Sequence, residues 1–190
     1  MKECISMRNF PTLETERLIL GELRSEDAVD VFHYFSKDEV TQFYDLESFT
    51  EVKQAENLIT NWNNRYNNQQ GIRWGIVLKT EKRVIGTCGY HNWSSIHYRA
   101  EIGYELSPEY WRQGIMFEAL SRVISYGFEE LELNRIGALV YPHNIGSRNL
   151  LISSGFSEEG ILKDYYLKKD RFVDAVIFST INKNKRQNWA

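Results

Sequence analysis

The spacing of apolar residues changes several times along this chain, and each change marks an element. "RLILGEL" (residues 17–23) is an apolar run of strand length, and the polar "RSEDA" behind it offers helix-capping groups at Ser25 and Asp27. Ala28, Val31, Phe32 and Phe35 then recur at i, i+3, i+4 and i+7, which places them on one helical face. A second helix is predicted with Thr50 as N-cap and Val52, Ala55, Ile59 and Trp62 on its buried side, ending in the asparagine-rich "NNRYNNQQG". From Trp74 the period shortens. "WGIVL", the polar "KTEK" and "RVIGTCGY" read as a hairpin, and "RAEIGYEL" (residues 99–106) reads as a third strand after the loop "HNWSSIHY". Pro108 stops that strand.

Helical spacing then returns, with Met116, Leu120, Val123 and Gly127 on one stripe flanked by Ala119 and Ile124, so a helix is predicted over residues 113–131. "RIGALVY" (residues 135–141) has the unbroken apolar character of a strand covered on both faces, and "HNIGSRNLLISSGF" reads as a short helix stopped at Gly155. "GILKDYYL", the turn "KKDR" and "FVDAVIFSTI" form a closing hairpin, followed by a polar tail from about residue 182. The order β, α, α, β, β, β, α, β, α, β, β describes an α/β fold with a crossover helix after "RAEIGYEL".

Composition narrows this picture. A chain of 190 residues with 42% hydrophobic content holds one sizeable core, so a single domain is expected over residues 1–190. A net charge of −3 gives no general attraction to nucleic acid or anionic membrane, so any anion site must be built locally. Cys4 and Cys88 belong to no metal-ligand spacing, and the four histidines are scattered, so neither a disulfide framework nor a metal site is expected. The start "MKECISMRNF" lacks the apolar core of a signal peptide, and no window is apolar enough to span a bilayer; a soluble, cytoplasmic protein is expected.

The candidate chemistry begins at "WRQGIM", residues 111–116, at the mouth of the crossover helix. A helix N-terminus leaves about four backbone N–H groups without intrahelical partners and carries partial positive charge, a natural seat for phosphate. Gly114 has no Cβ to hold an anion away, Arg112 adds a charged fork, and Gln113 offers a further donor. An ordinary turn, with Gly114 relieving crowding and Arg112 and Gln113 solvated, fits the hexapeptide equally. It matches neither the P-loop nor the dinucleotide fingerprint.

Four stretches together resemble one family: "LETERLIL", "AEIGYELSPEYWRQGIMFEAL", "VYPHNIGSRNLLISSGF" and "EEGILKDYYLKKDRFVDAVIFS". In this order they are similar to the GNAT N-acetyltransferases, in the branch that includes bacterial ribosomal-protein alanine N-acetyltransferases. The resemblance implies the GNAT acyltransferase fold, a mixed central sheet with splayed central strands and flanking helices. It also implies acetyl-CoA as co-substrate, lying between "RAEIGYEL" and "RIGALVY" with its pyrophosphate over the backbone of Gln113, Gly114, Ile115, Met116 and Phe117. The family's Q/R-x-x-G-x-G/A pattern is altered here: Trp111 takes the first position and Met116 the last, while Gly114 is kept. By the same resemblance, the backbone of Tyr104, Glu105 and Leu106 pairs with the pantetheine arm as an added strand would.

Asn144 and Ser147 match the family's N-x-x-S element, which implies that Asn144 bonds the pantetheine and that Ser147 sits near the thioester sulfur. Helix capping is the other reading of both. Where many relatives outside this branch carry a tyrosine acid, one turn before the "GF" pair, this chain has Leu151, which leaves Ser147 to assist the departing thiolate. The attacking amine must lose a proton. Glu101, directly or through a water, is the candidate base; a surface carboxylate paired with Arg99 or a lysine is its other reading. Glu105 is an alternative base, and Tyr166 stands where some relatives place a carboxylate. His91 and His97, with Tyr90 and Trp93, are candidates to frame the acceptor, and Cys88 reads as a small buried hydrophobe.

These readings converge on direct acetyl transfer from acetyl-CoA to a primary amine, either a protein N-terminus such as that of a ribosomal protein or a small amine. A non-catalytic acyl-CoA sensor is the rival. The loops over residues 38–50 and 90–98, which would select the acceptor, carry no diagnostic motif, and exposed strand edges leave a homodimer open.

Overall fold

The computed structural model describes residues 9–183; Cys4, the rest of the first eight residues and residues 184–190 of the polar tail lie outside the described residues. The chain order is β1 (Leu13–Glu14), β2 (Leu18–Glu22), α1 (Ala28–Phe35), α2 (Asp38–Thr41), α3 (Val52–Asn67), β3 (Ile72–Leu78), β4 (Val84–Ser94), β5 (Arg99–Leu106), α4 (Ile115–Glu129), β6 (Arg135–Val140), α5 (Ile145–Ser153), β7 (Ser157–Lys168) and β8 (Arg171–Ile181). The strands form one eight-stranded sheet in the order β1-β2-β3-β4-β5-β6-β8-β7. Every neighbouring pair is antiparallel except β5 and β6, the parallel pair joined by the α4 crossover.

That parallel pair sets the architecture. β5 and β6 align only at Arg99↔Arg135, Ala100↔Ile136 and Glu101↔Gly137, and beyond these residues they part. Each strand is held by its other neighbour instead: β5 stays paired with β4 as far as Gly86↔Leu106, and β6 with β8 as far as Val140↔Val176. A wedge therefore opens between Ile102–Leu106 and the end of β6.

Helices cover both faces. Ile115, Met116, Ala119, Leu120 and Val123 of α4 and Leu151 of α5 join Trp74, Cys88 and Ile102 in the larger core cluster. On the opposite face, Val31, Tyr34 and Phe35 of α1 pack with Ala55, Ile59 and Trp62 of α3. Under α3 the sheet carries a buried polar cluster. Arg73 lies in one cross-strand row with Gly89 and Gly103, and a Cβ at Gly103 would sit 3.0 Å from its guanidinium. The missing side chain lets Arg73 reach along the sheet, where its Nε donates to Thr87 Oγ1 at 2.8 Å and its Nη2 donates to Glu105. Thr87 also donates to Glu105, and the Trp62 ring stacks over the guanidinium at 5.1 Å.

Several boundaries depart from the sequence pattern, each for a local reason. The strand predicted over residues 17–23 is β2, and the unpredicted β1 ahead of it makes a short hairpin with it, closed by Thr15 N–H donating to Leu18 O at 3.1 Å. The first helix is preceded by a 3-10 turn over Ser25–Asp27, in which Asp27 Oδ2 accepts from Arg24 N–H at 2.7 Å. The second begins one residue late, because the Gln54 side chain accepts from both Thr50 and Glu51 N–H, leaving Glu51 as N-cap. "HNWS", expected in a loop, continues β4 to Ser94, since a bulge lets Ser94 pair with Arg99. β7 begins at Ser157 rather than Gly160; as the polar edge strand it needs only β8 as partner and shows little alternation. α2, within the loop expected over residues 38–50, had no periodic signal because it is a single turn. Asn182, placed at the start of the tail, is buried with its N–H on Asn134 O at 2.9 Å.

Removing one member of a buried ion pair strands the other without water. Glu105→Ala is expected to cost about 3–5 kcal/mol, read as a lower urea midpoint, whereas the apolar pair Arg73→Met with Glu105→Leu should cost less than the single change.

Candidate active site

Sequence dictates the mouth of α4 through two residues. Gly114 adopts φ 73° and Arg112 φ 59°, left-handed conformations that turn the chain sharply off the 3-10 turn at Pro108–Tyr110 and make Gly114 the N-cap. Only glycine takes this geometry without steric cost. The first helical bond runs from Glu118 N–H to Gly114 O at 3.0 Å, so the N–H groups of Ile115, Met116 and Phe117 lie ahead of it without intrahelical acceptors. Met116, the departure from the family pattern, turns its side chain into the core and does not fill this mouth.

The surrounding loop is held by side chains that the sequence reading had left out or assigned otherwise. Arg17 donates to Gln113 O at 3.0 Å and pairs with Glu118 at 2.6 Å, and Thr15 Oγ1 donates to Glu118 at 2.6 Å. This clamp ties the "LETERLIL" stretch to the first turn of α4. Trp111 Nε1 donates to Leu106 O at 2.7 Å, fixing the loop to the end of β5. The Gln113 amide donates to Glu109 O at 2.8 Å, which turns it back onto the loop and away from the role of anion donor. The Arg112 side chain has no hydrogen-bond or ion-pair partner among the described residues and lines a cleft of about 680 Å³ with Gly114–Phe117, Tyr104–Leu106 and Asn144–Ser147. The unpaired N–H groups, the cationic fork and this open cleft fit the pyrophosphate and arm of acetyl-CoA.

A second cavity, of about 420 Å³, adjoins the first and is lined by Glu101, Tyr104, Tyr141, Asn144, Ser147 and Tyr166 among others. Phe43, Tyr44, Tyr104, Asn144 and Ser147 border both. Side chains alternate across a strand, so Glu101 and Tyr104 leave β5 on opposite faces; one cavity touches both because β6 has moved away.

At the junction, Asn144 caps α5, its Oδ1 accepting from Ser147 N–H at 3.1 Å. Capping thus occupies one end of this amide and leaves the NH2 end for another acceptor. Ser147 Oγ lies 2.6 Å from the Tyr104 hydroxyl. Leu151, which stands in place of the tyrosine, is fully buried in the core.

Glu101 accepts from Asn92 Nδ2 at 3.0 Å and lies 3.4 Å from His91 Nε2. Its carboxylate partners are thus on β4 rather than Arg99. The His91 contact, and after it Asn92, outweigh partial burial and hold the Glu101 carboxyl below the usual carboxylate range. Glu105 is a different case: its buried carboxylate is spent on Arg73 and Thr87, which removes it as an acceptor-side base. Burial pushes the Cys88 thiol up to about 12, consistent with an inert core residue. His91 and Tyr90 line the second cavity, whereas Trp93 and the exposed His97 do not.

Tyr166 stacks on Tyr141 with centroids 4.6 Å apart, and Tyr141 donates to Asp45 at 2.9 Å. Desolvation, then the Asp45 carboxylate, Tyr165 and Glu101, keep the Tyr166 phenol protonated well above its usual range. Lys168 donates to Thr41 O at 3.0 Å and Tyr44 O at 2.6 Å, tying the loop after α2 to the β7–β8 hairpin. Asp45, Tyr44 and Tyr141 join the site only through these long-range ties, which no local motif announces. Among the described residues, no group of three or more His, Cys, Asp or Glu is placed to hold a metal, and no helix is long and apolar enough to cross a membrane.

Comparison with known proteins agrees with this fold. Residues 17–157 match the model of the acetyltransferase (GNAT) domain. The chain is 44% identical over 172 residues to the uncharacterized N-acetyltransferase YoaA of Bacillus subtilis, covering 90% of this chain and 97% of that one. It is 28% identical to the [ribosomal protein uS5]-alanine N-acetyltransferase of Escherichia coli, covering 87% and 88%. The structure of Mycobacterium smegmatis RimJ in complex with CoA-disulfide superposes with a TM-score of 0.81 at 21% identity, covering 92% and 88%. The splayed parallel pair, the helix mouth at its opening and a domain match over most of the chain place this protein in the GNAT family of acetyltransferases.

Proposed function

We propose that the protein transfers the acetyl group of acetyl-CoA directly to a primary amine held in the cavity beside Glu101. The carrying observation is the meeting of two cavities at Tyr104, Asn144 and Ser147, one headed by the unpaired N–H groups of α4 and the other walled by an ionised carboxylate. When bound, acetyl-CoA supplies a thioester carbonyl activated toward attack by nitrogen.

The chain's own residues do the rest. Ile115, Met116 and Phe117 N–H groups with Arg112 hold the pyrophosphate, for which Gln113 contributes backbone only. The free edge of β5 at Tyr104, Glu105 and Leu106 receives the pantetheine arm, with the Asn144 NH2 as a further donor. Ser147 offers its hydroxyl to the departing sulfur, and Glu101 accepts the amine proton directly or through a water. Because Glu101 is ionised throughout the neutral range, the acceptor's own pKa sets the pH dependence. An α-amine (about 8) needs far less help than a lysine (about 10.4).

The N-terminal α-amine of a protein is therefore the acceptor we favour, and the similarity to the uS5-alanine enzyme supports it. A small cationic amine is the second reading, suggested by Asp45 and the Tyr141–Tyr166 stack on the cavity wall. A panel of ribosomal-protein N-terminal peptides, polyamines, amino acids and aminoglycosides, assayed by thiol release, is expected to show turnover with a member of one class. CoA binding without thiol release for any amine would mean a sensor, and absence of CoA binding would overturn both readings.

Glu101→Gln is expected to lower kcat/KM about 100-fold near neutral pH. The deficit should shrink as pH rises past the amine pKa and the acceptor arrives neutral. A loss of the same size at every pH would assign Glu101 to binding alone.

A further inference from the structure

The loss of the tyrosine at Leu151 leaves Ser147 as the hydroxyl nearest the expected sulfur, and a serine alone is a poor director of its proton. Its hydroxyl rotates freely, and a position in the first turn of a helix offers it several acceptors. The structure removes that freedom. Tyr104, on β5, sends its side chain to the α5 side of the sheet, where its hydroxyl stands 2.6 Å from Ser147 Oγ and 3.4 Å from Ser147 O. The shorter contact is the better hydrogen bond. Ser147 N–H is already spent on Asn144, so the residue is fixed at backbone and hydroxyl alike.

We infer that Tyr104 donates its hydroxyl proton to Ser147 Oγ and thereby orients the Ser147 O–H toward the departing sulfur, a positioning role that replaces the absent tyrosine of other relatives. The direction of donation follows from acidity, because a phenol is a far stronger acid than an alkanol. Desolvation also keeps the Tyr104 phenol protonated above the usual tyrosine range, although its bond to Ser147 acts the other way. Tyr104 therefore remains a donor at every working pH. With one Ser147 lone pair taken, the hydrogen points into the junction of the two cavities, and the chain Tyr104→Ser147→sulfur strengthens as charge develops at its end.

This rests on the acetyl-transfer reading above. In that step the carbon–nitrogen bond forms, the carbon–sulfur bond breaks and its electron pair goes to sulfur. The amine proton passes to Glu101 or water. The sulfur is held as a thiolate by the Ser147 O–H until solvent protonates it, as the pKa of an alkyl thiol such as cysteine's, about 8.5, permits.

The test is a double-mutant cycle on Tyr104→Phe, which preserves the ring, and Ser147→Ala. Tyr104→Phe is expected to lower kcat about 10–100-fold, while acetyl-CoA affinity measured by calorimetry stays within about twofold of wild type. Ser147→Ala should lose at least as much, and the double variant no more than Ser147→Ala alone, because Tyr104 acts through Ser147. A second readout needs no acceptor. In wild type the affinity for CoA relative to acetyl-CoA should rise as pH passes the thiol pKa, and both single variants should lose this rise. Wild-type turnover in Tyr104→Phe, additive losses in the double variant, or a retained rise would each overturn the inference. Absence of turnover by wild type with every amine would instead sink the acetyl-transfer reading, with the calorimetric arm still deciding whether the Tyr104–Ser147 pair faces the sulfur.

Discussion

The parting of β5 from β6 after three paired residues is the constraint on which the site depends. A continuous sheet would seal Glu101 on one face and Tyr104 on the other, with backbone hydrogen bonds filling the space between. Because β4 and β8 hold the two strands separately, the sheet can open without fraying, and the backbone edge of β5 is left with unpaired groups. An exposed edge of this kind is a liability unless something pairs with it. Here it lies inside a cleft that also carries a helix N-terminus, and under the proposed function the pantetheine arm completes the strand.

Two devices hold the halves of the wedge at their separation. Beneath β5, the Arg73–Glu105–Thr87 cluster braces the strand against β3 and β4, and the bare Gly103 makes room for it. Across the opening, Lys168 and the Tyr141–Asp45 bond tie the loop after α2 to the far side of the sheet. The Arg17 clamp does the same for the mouth of α4. Charged groups thus act here as struts between elements distant in sequence, with several simultaneous partners offsetting the desolvation that burial imposes.

Reading Glu101 and Glu105 side by side shows why residue type alone assigns no chemistry. Both are carboxylates on β5, four residues apart and pointing to the same face. Glu105 meets Arg73 and Thr87 in the protein interior, while Glu101 meets His91 and Asn92 at a cavity wall. Likewise Tyr104 entered the sequence reading for its backbone alone, and the structure gives its side chain a partner on α5.

Periodicity sufficed for the helices α1, α3 and α4, the central strands and their order, because burial of one face imposes a repeat that any single segment displays. Gly114 was legible as the bare residue at the mouth of α4, read for its missing Cβ, while its left-handed φ of 73° as N-cap came only with the structure. The family resemblance supplied the fold and the acetyl-CoA reading from motif order. The single-turn α2 and the two-residue β1 escaped, being too short to set a period, and the polar edge strand β7 was read from Gly160 although it starts at Ser157. The partners of Glu101, Glu105, Tyr104, Asp45 and Gln113 were decided only by tertiary structure. Hydrogen bonds and ion pairs depend on separations of about 3 Å between groups that here lie from 4 to 96 residues apart, and a one-dimensional pattern fixes which face a side chain occupies but not what it meets there.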